Sequence, residues 1–256
     1  MSAIEGFAEE AFSWGDQSLT LFRKGDGPGV ILLHELPGLT QETVDFARWI
    51  ADHGFHVVMP LLFGMPMQNR YLGLAKLPFV CVRREFNCLA AGKSSPITDS
   101  LRGLCRKVHA ERGGPGVGAI GMCYTGGFVL AMLVEPVLLA PVTAQPSLPF
   151  FKSGALDVEP EALAAASRRS DSMSLLGLRF ENDWRCRAAR FGRLASALEG
   201  QAADGAPRFR SSIVPGKGHA TLTFDYPLAL ERGIDTRQLV LEHLRGRLMA
   251  SGKPKP

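Results

Sequence analysis

The sequence predicts an α/β fold in which one doubly wound, mostly parallel sheet is flanked by helices on both faces. Short apolar segments alternate with segments of helical periodicity along nearly the whole chain. Most of the apolar segments are continuous, as expected of strands that are buried on both faces. The chain contains no internal repeat and no long low-complexity linker, so we expect a single domain over residues 1–256.

Seven segments are predicted to be strands. Residues 18–23 alternate between polar and apolar side chains, which is typical of a strand with one buried face, and a glycine-rich turn follows at 25–29. Six further segments are predicted to be strands, and most of them are apolar runs of the kind found inside parallel sheets. They are residues 30–33, 55–59, 117–122, 137–142, 174–180 and 209–214.

Six segments are predicted to be helices. In the first, residues 41–53, apolar side chains recur near helical spacing, Thr40 is a candidate N-cap, and Gly54 should end the helix. The last, residues 227–248, begins with a proline, which the first turn of a helix tolerates. Between about 60 and 97 the sequence is irregular, and we expect a wall or lid there. The remaining predicted helices are 101–112, 128–134, 160–168 and 186–199.

The composition argues against several classes of protein. Of the 256 residues 46% are hydrophobic and 21% are charged, and the basic residues behind the net charge of +4 are spread along the chain. This distribution speaks against a nucleic-acid-binding stripe or a polybasic membrane anchor. The N-terminal residues carry acids where a signal peptide carries basic residues, and Glu135, Pro136 and Pro141 interrupt the longest apolar segment, 127–142. We therefore expect no export signal, no membrane partner and no nucleic acid.

The five cysteines predict neither a disulfide framework nor a zinc ribbon, because their number is odd and no Cys-x-x-Cys pair occurs. They stand at positions 81, 88, 105, 123 and 186. A reduced, cytoplasmic compartment is the default for such a chain. The sequence also lacks a His-x-x-x-His pair and a paired carboxylate cluster, so we expect no metal and no cofactor.

One segment has the pattern of a nucleophile elbow. The predicted strand 117–122 runs directly into GMCYT at residues 121–125 and then into a helix. Such a turn strains the backbone of its nucleophile and needs small residues two positions before and after it, where Gly121 and Thr125 stand. Cys123 is thus a candidate nucleophile. The alternative is a buried thiol that packs in the core beside a glycine-rich turn.

Candidate acid and base residues follow the last two predicted strands. One strand is followed by Glu181, Asn182 and Asp183, and the other is followed by a glycine-containing loop that carries His219. Active sites in such sheets lie at the carboxyl ends of the strands, so His219 is the candidate base. We favour Asp183 over Glu181 and Asp225 as the acid that orients the imidazole, because Asp183 falls within the loop itself. The other four cysteines are predicted to be packing thiols.

At these residues the chain resembles the dienelactone hydrolase family (carboxymethylenebutenolidases), cysteine-dependent members of the α/β-hydrolase fold. The resemblance extends over about residues 18–248. It rests on HELPG at 34–38, GMCYTGG at 121–127, END at 181–183 and GKGH at 216–219. It implies that Cys123 is the nucleophile, Asp183 the acid and His219 the base in the hydrolysis of a small-molecule ester or lactone. The implied route passes through a thioester acyl-enzyme. We expect the protein to be a monomer or a small homo-oligomer.

The resemblance also assigns roles to the turn after the strand 30–33. Without the resemblance, we would interpret Glu35 as a solvated loop carboxylate. In the family the matching glutamate approaches the cysteine thiol and takes part in its substrate-induced activation. The N–H groups of Leu36 and Tyr124 would form the oxyanion hole.

The chain departs from the family pattern in two places, and the first concerns the substrate. Characterised members hold a substrate carboxylate with arginines, one of them shortly after the catalytic histidine, where this chain has ATLTFD at 220–225. Arg83 and Arg84 are the candidate substrate-binding residues that remain, and exposed, solvated arginines are their alternative interpretation. Thr125 replaces the usual glycine of the elbow. The alternatives to a dienelactone hydrolase are a carboxylesterase or lactonase for a less charged substrate, or a non-catalytic binding module.

Overall fold

The computed structural model describes residues 2–36, 38–67, 95–147, 158 and 160–249. These residues form one sheet of eight strands in the order β1-β2-β4-β3-β5-β6-β7-β8. The strands are β1 (Ala8–Trp14), β2 (Gln17–Lys24), β3 (Gly29–Leu33), β4 (His56–Pro60), β5 (Val117–Met122), β6 (Leu138–Ala144), β7 (Leu175–Phe180) and β8 (Phe209–Val214).

A helix lies at each predicted position, but several of the helices begin or end at other residues. Helix α2 begins at the proline after Ser95, whose hydroxyl accepts the Thr98 N–H and so caps the helix. A short 3-10 turn, Cys123–Thr125, precedes α3. The helices are α1 (Gln41–Asp52), α2 (Pro96–Arg112), α3 (Gly126–Ala131), α4 (Pro160–Ser167), α5 (Ala188–Ala197), α6 (Tyr226–Glu231) and α7 (Thr236–Leu248).

The sheet has the predicted mostly parallel arrangement. Strands β3 to β8 pair in parallel, whereas β1 and β2 form an antiparallel hairpin that joins the sheet through β4. Every residue of β3, β4, β5, β6 and β7 is buried. Helices cover these strands: α1 packs on β4, α3 on β5 and β6, and α7 on β5, β6 and β7. The predicted α/β fold class is therefore confirmed.

The N-terminal strand β1 was not predicted. Its sequence, AEEAFSW, carries two acids, and Phe12 is its one buried side chain. It lies at the edge of the sheet and pairs with β2 alone among the described strands. An edge strand with so few buried side chains has no apolar run to reveal it.

Two predicted helix features are wrong in detail. The single terminal helix at 227–248 is two helices, α6 and α7, because Gly233 adopts a φ of 77° and the Asp235 side chain caps α7 by accepting the Gln238 N–H. Thr40 does precede α1, but its side chain makes no capping hydrogen bond. The predicted segment at 60–97 lies largely outside the described residues, and its end belongs to α2. No helix in the described part of the chain is long and apolar enough to cross a bilayer.

His243 illustrates how α7 is fixed to the sheet. From its position late in a helix, His243 is expected to be solvated or to complement the helix dipole. It is only 2% exposed, and its Nε2 lies 3.2 Å from the Pro141 carbonyl. Burial, with the nearby charges of Arg210 and Arg247, lowers the pKa of His243 to about 3. The folded protein therefore holds this imidazole neutral where the unfolded chain would protonate it.

This depressed pKa predicts acid sensitivity. Between the ordinary value of 6.5 and about 3 the unfolded state binds the additional proton, so the free energy of unfolding falls as the pH falls. His243 alone should contribute a slope of ~1.4 kcal/mol per pH unit in that window. Urea unfolding at several pH values gives the free energy of unfolding as a function of pH. For His243→Gln the slope of this dependence should be smaller than for wild type by about that amount. Identical slopes for the two proteins would contradict the prediction.

Candidate active site

The strand register places several chain segments at one edge of the sheet. Leu33 at the end of β3 pairs with Gly121 near the end of β5, and Phe180 at the end of β7 pairs with Val214 at the end of β8. Because these strands are parallel, the residues that follow them emerge at the same carboxyl edge. The predicted catalytic and oxyanion-hole residues all belong to these segments.

Cys123 has the backbone geometry of a nucleophile elbow. Its φ is 54°, in the left-handed region that a side chain with a Cβ rarely adopts. The turn is tight enough that a Cβ added at Gly121 would lie 2.4 Å from the Thr125 carbonyl oxygen. Gly121 therefore permits the turn that presents Cys123, which is half-buried.

Thr125, which replaces a glycine of the family pattern, fits the elbow through its hydroxyl. Its Oγ1 accepts the Met122 N–H at 2.9 Å, and it lies 2.9 Å from the Met122 carbonyl and 3.3 Å from that of Leu33. Thr125 is fully buried, so these bonds satisfy a hydroxyl that would otherwise be costly to bury. The side chain thus closes the turn and ties it to β3.

His219 and Asp183 meet at this edge. Nδ1 of His219 lies 2.7 Å from Oδ2 of Asp183, which is 3% exposed. The other carboxylate oxygen of Asp183 accepts the Arg185 N–H at 2.9 Å, which fixes its orientation. The two other candidate acids bind backbone instead: Glu181 accepts the Gly216 N–H, and Asp225 accepts the N–H of His219 itself. Of the three carboxylates, Asp183 is the one placed to orient the imidazole.

The electrostatics of His219 connect it to Cys123. Burial lowers the pKa of the imidazole, but the negative charge of the Cys123 sulfur and the contact with Asp183 outweigh burial and raise the pKa to about 10. Nε2 of His219 is buried and has no hydrogen bond of good geometry within the described part of the chain. The ring is therefore held as an imidazolium when the sulfur is charged.

The remaining cysteines of the described chain differ from Cys123. Cys105 and Cys186 are fully buried, and burial raises the pKa of both thiols, that of Cys186 to about 12. Their prediction as packing thiols agrees with this burial. Cys81 and Cys88 lie outside the described residues.

Glu35 is buried, so its interpretation as a solvated loop carboxylate is wrong. Only 2% of it is exposed, and it accepts a hydrogen bond from the Thr223 hydroxyl. Thr223 stands four residues after His219, so this contact joins the turn after β3 to the histidine loop. The preceding residue, His34, accepts the Leu62 N–H through Nε2 at 3.1 Å.

The proposed oxyanion-hole residues lie at the same edge. Leu36 directly follows Glu35 in a turn closed by a 2.7 Å hydrogen bond from the Gly38 N–H to the Glu35 carbonyl. Tyr124 directly follows Cys123, and its buried ring packs edge-on against Phe128. Arg83 and Arg84, the predicted substrate-binding residues, lie outside the described residues.

Two polar residues at this edge were missed by sequence reasoning. Ser147 lies after β6, and its Oγ is 3.1 Å from the Cys123 sulfur. Gln145 has a φ of 39°, and its Oε1 accepts hydrogen bonds from the backbone and the hydroxyl of Thr221. Their only signal was position, since both follow a strand at the carboxyl edge. No group of three or more metal-binding side chains occurs among the residues described.

The doubly wound sheet with a strained cysteine after β5 defines an α/β hydrolase. The sequence profile of the dienelactone hydrolase family matches residues 19–153, just over half of the chain. The chain therefore belongs to the dienelactone hydrolase family and is a dienelactone hydrolase-like α/β hydrolase. No curated protein sequence gives a significant match.

Solved structures share this fold. The chain is similar to a dienelactone hydrolase from Anabaena variabilis, with 18% identity and a TM-score of 0.65 over 95% of this chain and 100% of that one. A structure from Klebsiella pneumoniae provisionally named a dienelactone hydrolase has 16% identity and a TM-score of 0.65 over 93% and 97%. An α/β serine hydrolase without a lid from Xanthomonas campestris has 13% identity and a TM-score of 0.60 over 97% and 98%. At these identities the likeness shows the fold alone.

The bonds of Thr125 predict the effect of removing its hydroxyl. Thr125→Val keeps the shape but leaves the Met122 N–H without its partner, so the free energy of unfolding should fall by about 1–3 kcal/mol. Thr125→Ser keeps the hydroxyl and should lose less. Urea denaturation with unchanged m-values would measure both effects. A valine variant as stable as wild type would show that this hydroxyl does not support the elbow.

Proposed function

We propose that this protein hydrolyses a carboxylic ester or lactone through a Cys123-His219-Asp183 triad and a thioester acyl-enzyme. The observation that carries the proposal is the 2.7 Å contact of His219 with Asp183 beside a cysteine held at a φ of 54°. A packing cysteine needs neither a strained backbone nor a neighbouring buried imidazole. The same arrangement argues against a non-catalytic binding module.

In the proposed acylation step, the Cys123 thiolate attacks the carbonyl carbon of the substrate. The S–C bond forms while the carbonyl electron pair moves to oxygen, and we propose that the N–H groups of Leu36 and Tyr124 stabilise this oxyanion. The tetrahedral intermediate then collapses and its C–O bond breaks. The leaving alkoxide takes a proton from the His219 imidazolium.

The proposed deacylation step depends on a change in the basicity of His219. Acylation removes the negative charge of the Cys123 sulfur, which is the largest influence that raises the pKa of the imidazole. The pKa of His219 should then fall, so that the neutral ring can take a proton from an attacking water. Asp183 keeps the ring oriented in both steps. Collapse of the second intermediate releases the acid and regenerates the thiolate.

The residues around the site favour a substrate with little negative charge. Glu35 is a buried acid at this edge, and Thr223, in the loop after His219, bonds to it. The loop at 220–225 offers no arginine to neutralise a substrate carboxylate. We therefore propose a neutral ester or lactone as the substrate. A dienelactone held through Arg83 or Arg84 is the second candidate, and family membership supports it.

Replacing the nucleophile tests the proposed chemistry. Cys123→Ala should lower the rate of p-nitrophenyl acetate hydrolysis roughly 1,000-fold or more, because it removes the proposed nucleophile. Cys105→Ala removes a buried thiol distant from the carboxyl edge and serves as the matched control that keeps activity. Equal rates for wild type and Cys123→Ala would refute the cysteine nucleophile. Hydrolysis of the simple ester, but not of a cis-dienelactone, would support the neutral substrate.

The coupling of His219 to Cys123 can be measured without a substrate. In Cys123→Ala the sulfur charge is absent, so the pKa of His219 should fall from about 10. Histidine NMR titration of wild type and Cys123→Ala would follow this change. Cys105→Ala should leave the titration unaltered. If His219 titrates identically in wild type and in Cys123→Ala, the thiolate–imidazolium pair is contradicted.

A further inference from the structure

Ser147 makes two separate contacts with Cys123. Its N–H donates to the Cys123 carbonyl at 3.2 Å, and its Oγ lies 3.1 Å from the Cys123 sulfur. Ser147 is only 5% exposed, so its hydroxyl has little access to water. The backbone bond fixes the distance between the two residues, and the side-chain contact then reaches the reactive atom.

The two residues before Ser147 are held by contacts with β7, the histidine loop and the elbow. The Gln145 N–H donates to the Leu178 carbonyl at 2.6 Å, and the Gln145 side chain binds Thr221 next to the histidine loop. Pro146 packs so closely on the elbow that a Cβ added at Gly126 would lie 3.0 Å from its Cβ. The two residues before Ser147 are therefore fixed by hydrogen bonds and packing, and they place its hydroxyl at the sulfur.

The strength of the hydrogen bond between the Ser147 hydroxyl and the Cys123 sulfur depends on the charge of the sulfur. A neutral thiol and a hydroxyl can each donate to the other, which yields a weak hydrogen bond. A thiolate can only accept, so the hydroxyl donates to a full negative charge, and such bonds are about twice as strong. The contact therefore favours the ionised sulfur over the neutral one. His219 provides the compensating positive charge.

We propose that Ser147 is a positioning residue whose hydroxyl donates to the Cys123 sulfur and stabilises its thiolate. This inference rests on the proposed role of Cys123 as the nucleophile. When the S–C bond of the acyl-enzyme forms, the sulfur loses its charge and the Ser147 hydroxyl loses its charged acceptor.

The experiment measures thiol reactivity rather than turnover. Wild type and Ser147→Ala would be alkylated with iodoacetamide across a range of pH, and peptide mass spectrometry would quantify the label on Cys123. Loss of one hydrogen bond to a charged group should slow alkylation of Ser147→Ala about tenfold on the acid side of the profile. The two proteins should react equally at high pH, where the thiol is ionised in both.

Two further variants separate the hydroxyl from its packing. Ser147→Thr keeps the hydroxyl and should retain the wild-type profile. Ser174→Ala removes another buried serine hydroxyl, bonded to the Pro207 carbonyl before β7 and away from the carboxyl edge, and should not shift the profile. Absorbance at 240 nm would report the thiolate directly and should shift in parallel with the alkylation profile.

The outcomes are distinct. An unshifted profile for Ser147→Ala would overturn the proposal, and so would a decrease that is equal at every pH, because that indicates misplacement of the sulfur. A threonine variant that matches the alanine variant would also overturn it. A shifted profile in a protein that hydrolyses no ester would support the Ser147 contact and contradict the proposed function instead.

Discussion

The candidate site depends on the strained backbone of Cys123. A φ of 54° is unfavourable for any residue with a Cβ, so the surrounding structure must impose it. Gly121 leaves room for the turn, and the fully buried Thr125 hydroxyl bonds it to the adjacent backbone. The turn in turn directs the cysteine out of a completely buried strand to the carboxyl edge, where the loops after the other strands converge.

The groups around this turn alternate in charge. Asp183 faces Nδ1 of His219, whose imidazolium form is stabilised by the sulfur of Cys123, and Ser147 contacts that sulfur from the β6 side. Each member stabilises the charged form of its neighbour, so the state of the set depends on the sulfur. In the proposed mechanism acylation removes the sulfur charge, and with it the largest influence that raises the pKa of His219. Glu35 is bonded to Thr223 and adds a second buried acid to the edge.

Local sequence patterns predicted most of the sheet, but they missed the edge strand β1 and the break between α6 and α7. The strands at 117–122 and 209–214 begin and end as predicted. The apolar run at 117–122 has few alternatives inside a parallel sheet. Strand β1 was missed because an edge strand needs few apolar residues. The break between α6 and α7 was missed because helical spacing continues across it, and its cause is a single glycine with a positive φ.

The sequence by itself determined the fold class, the family resemblance and the chain order of the candidate nucleophile, acid and base. Each of these residues lies in the turn or loop after a strand that a local pattern reveals, and the doubly wound topology places strand ends together. Only the tertiary structure decided which carboxylate meets His219, that Glu35 is buried against Thr223, and that Ser147 reaches the sulfur. These contacts join residues 36, 188 and 24 positions apart in the chain. They depend on strand register and on the paths of the loops, and neither is encoded in a short segment of sequence.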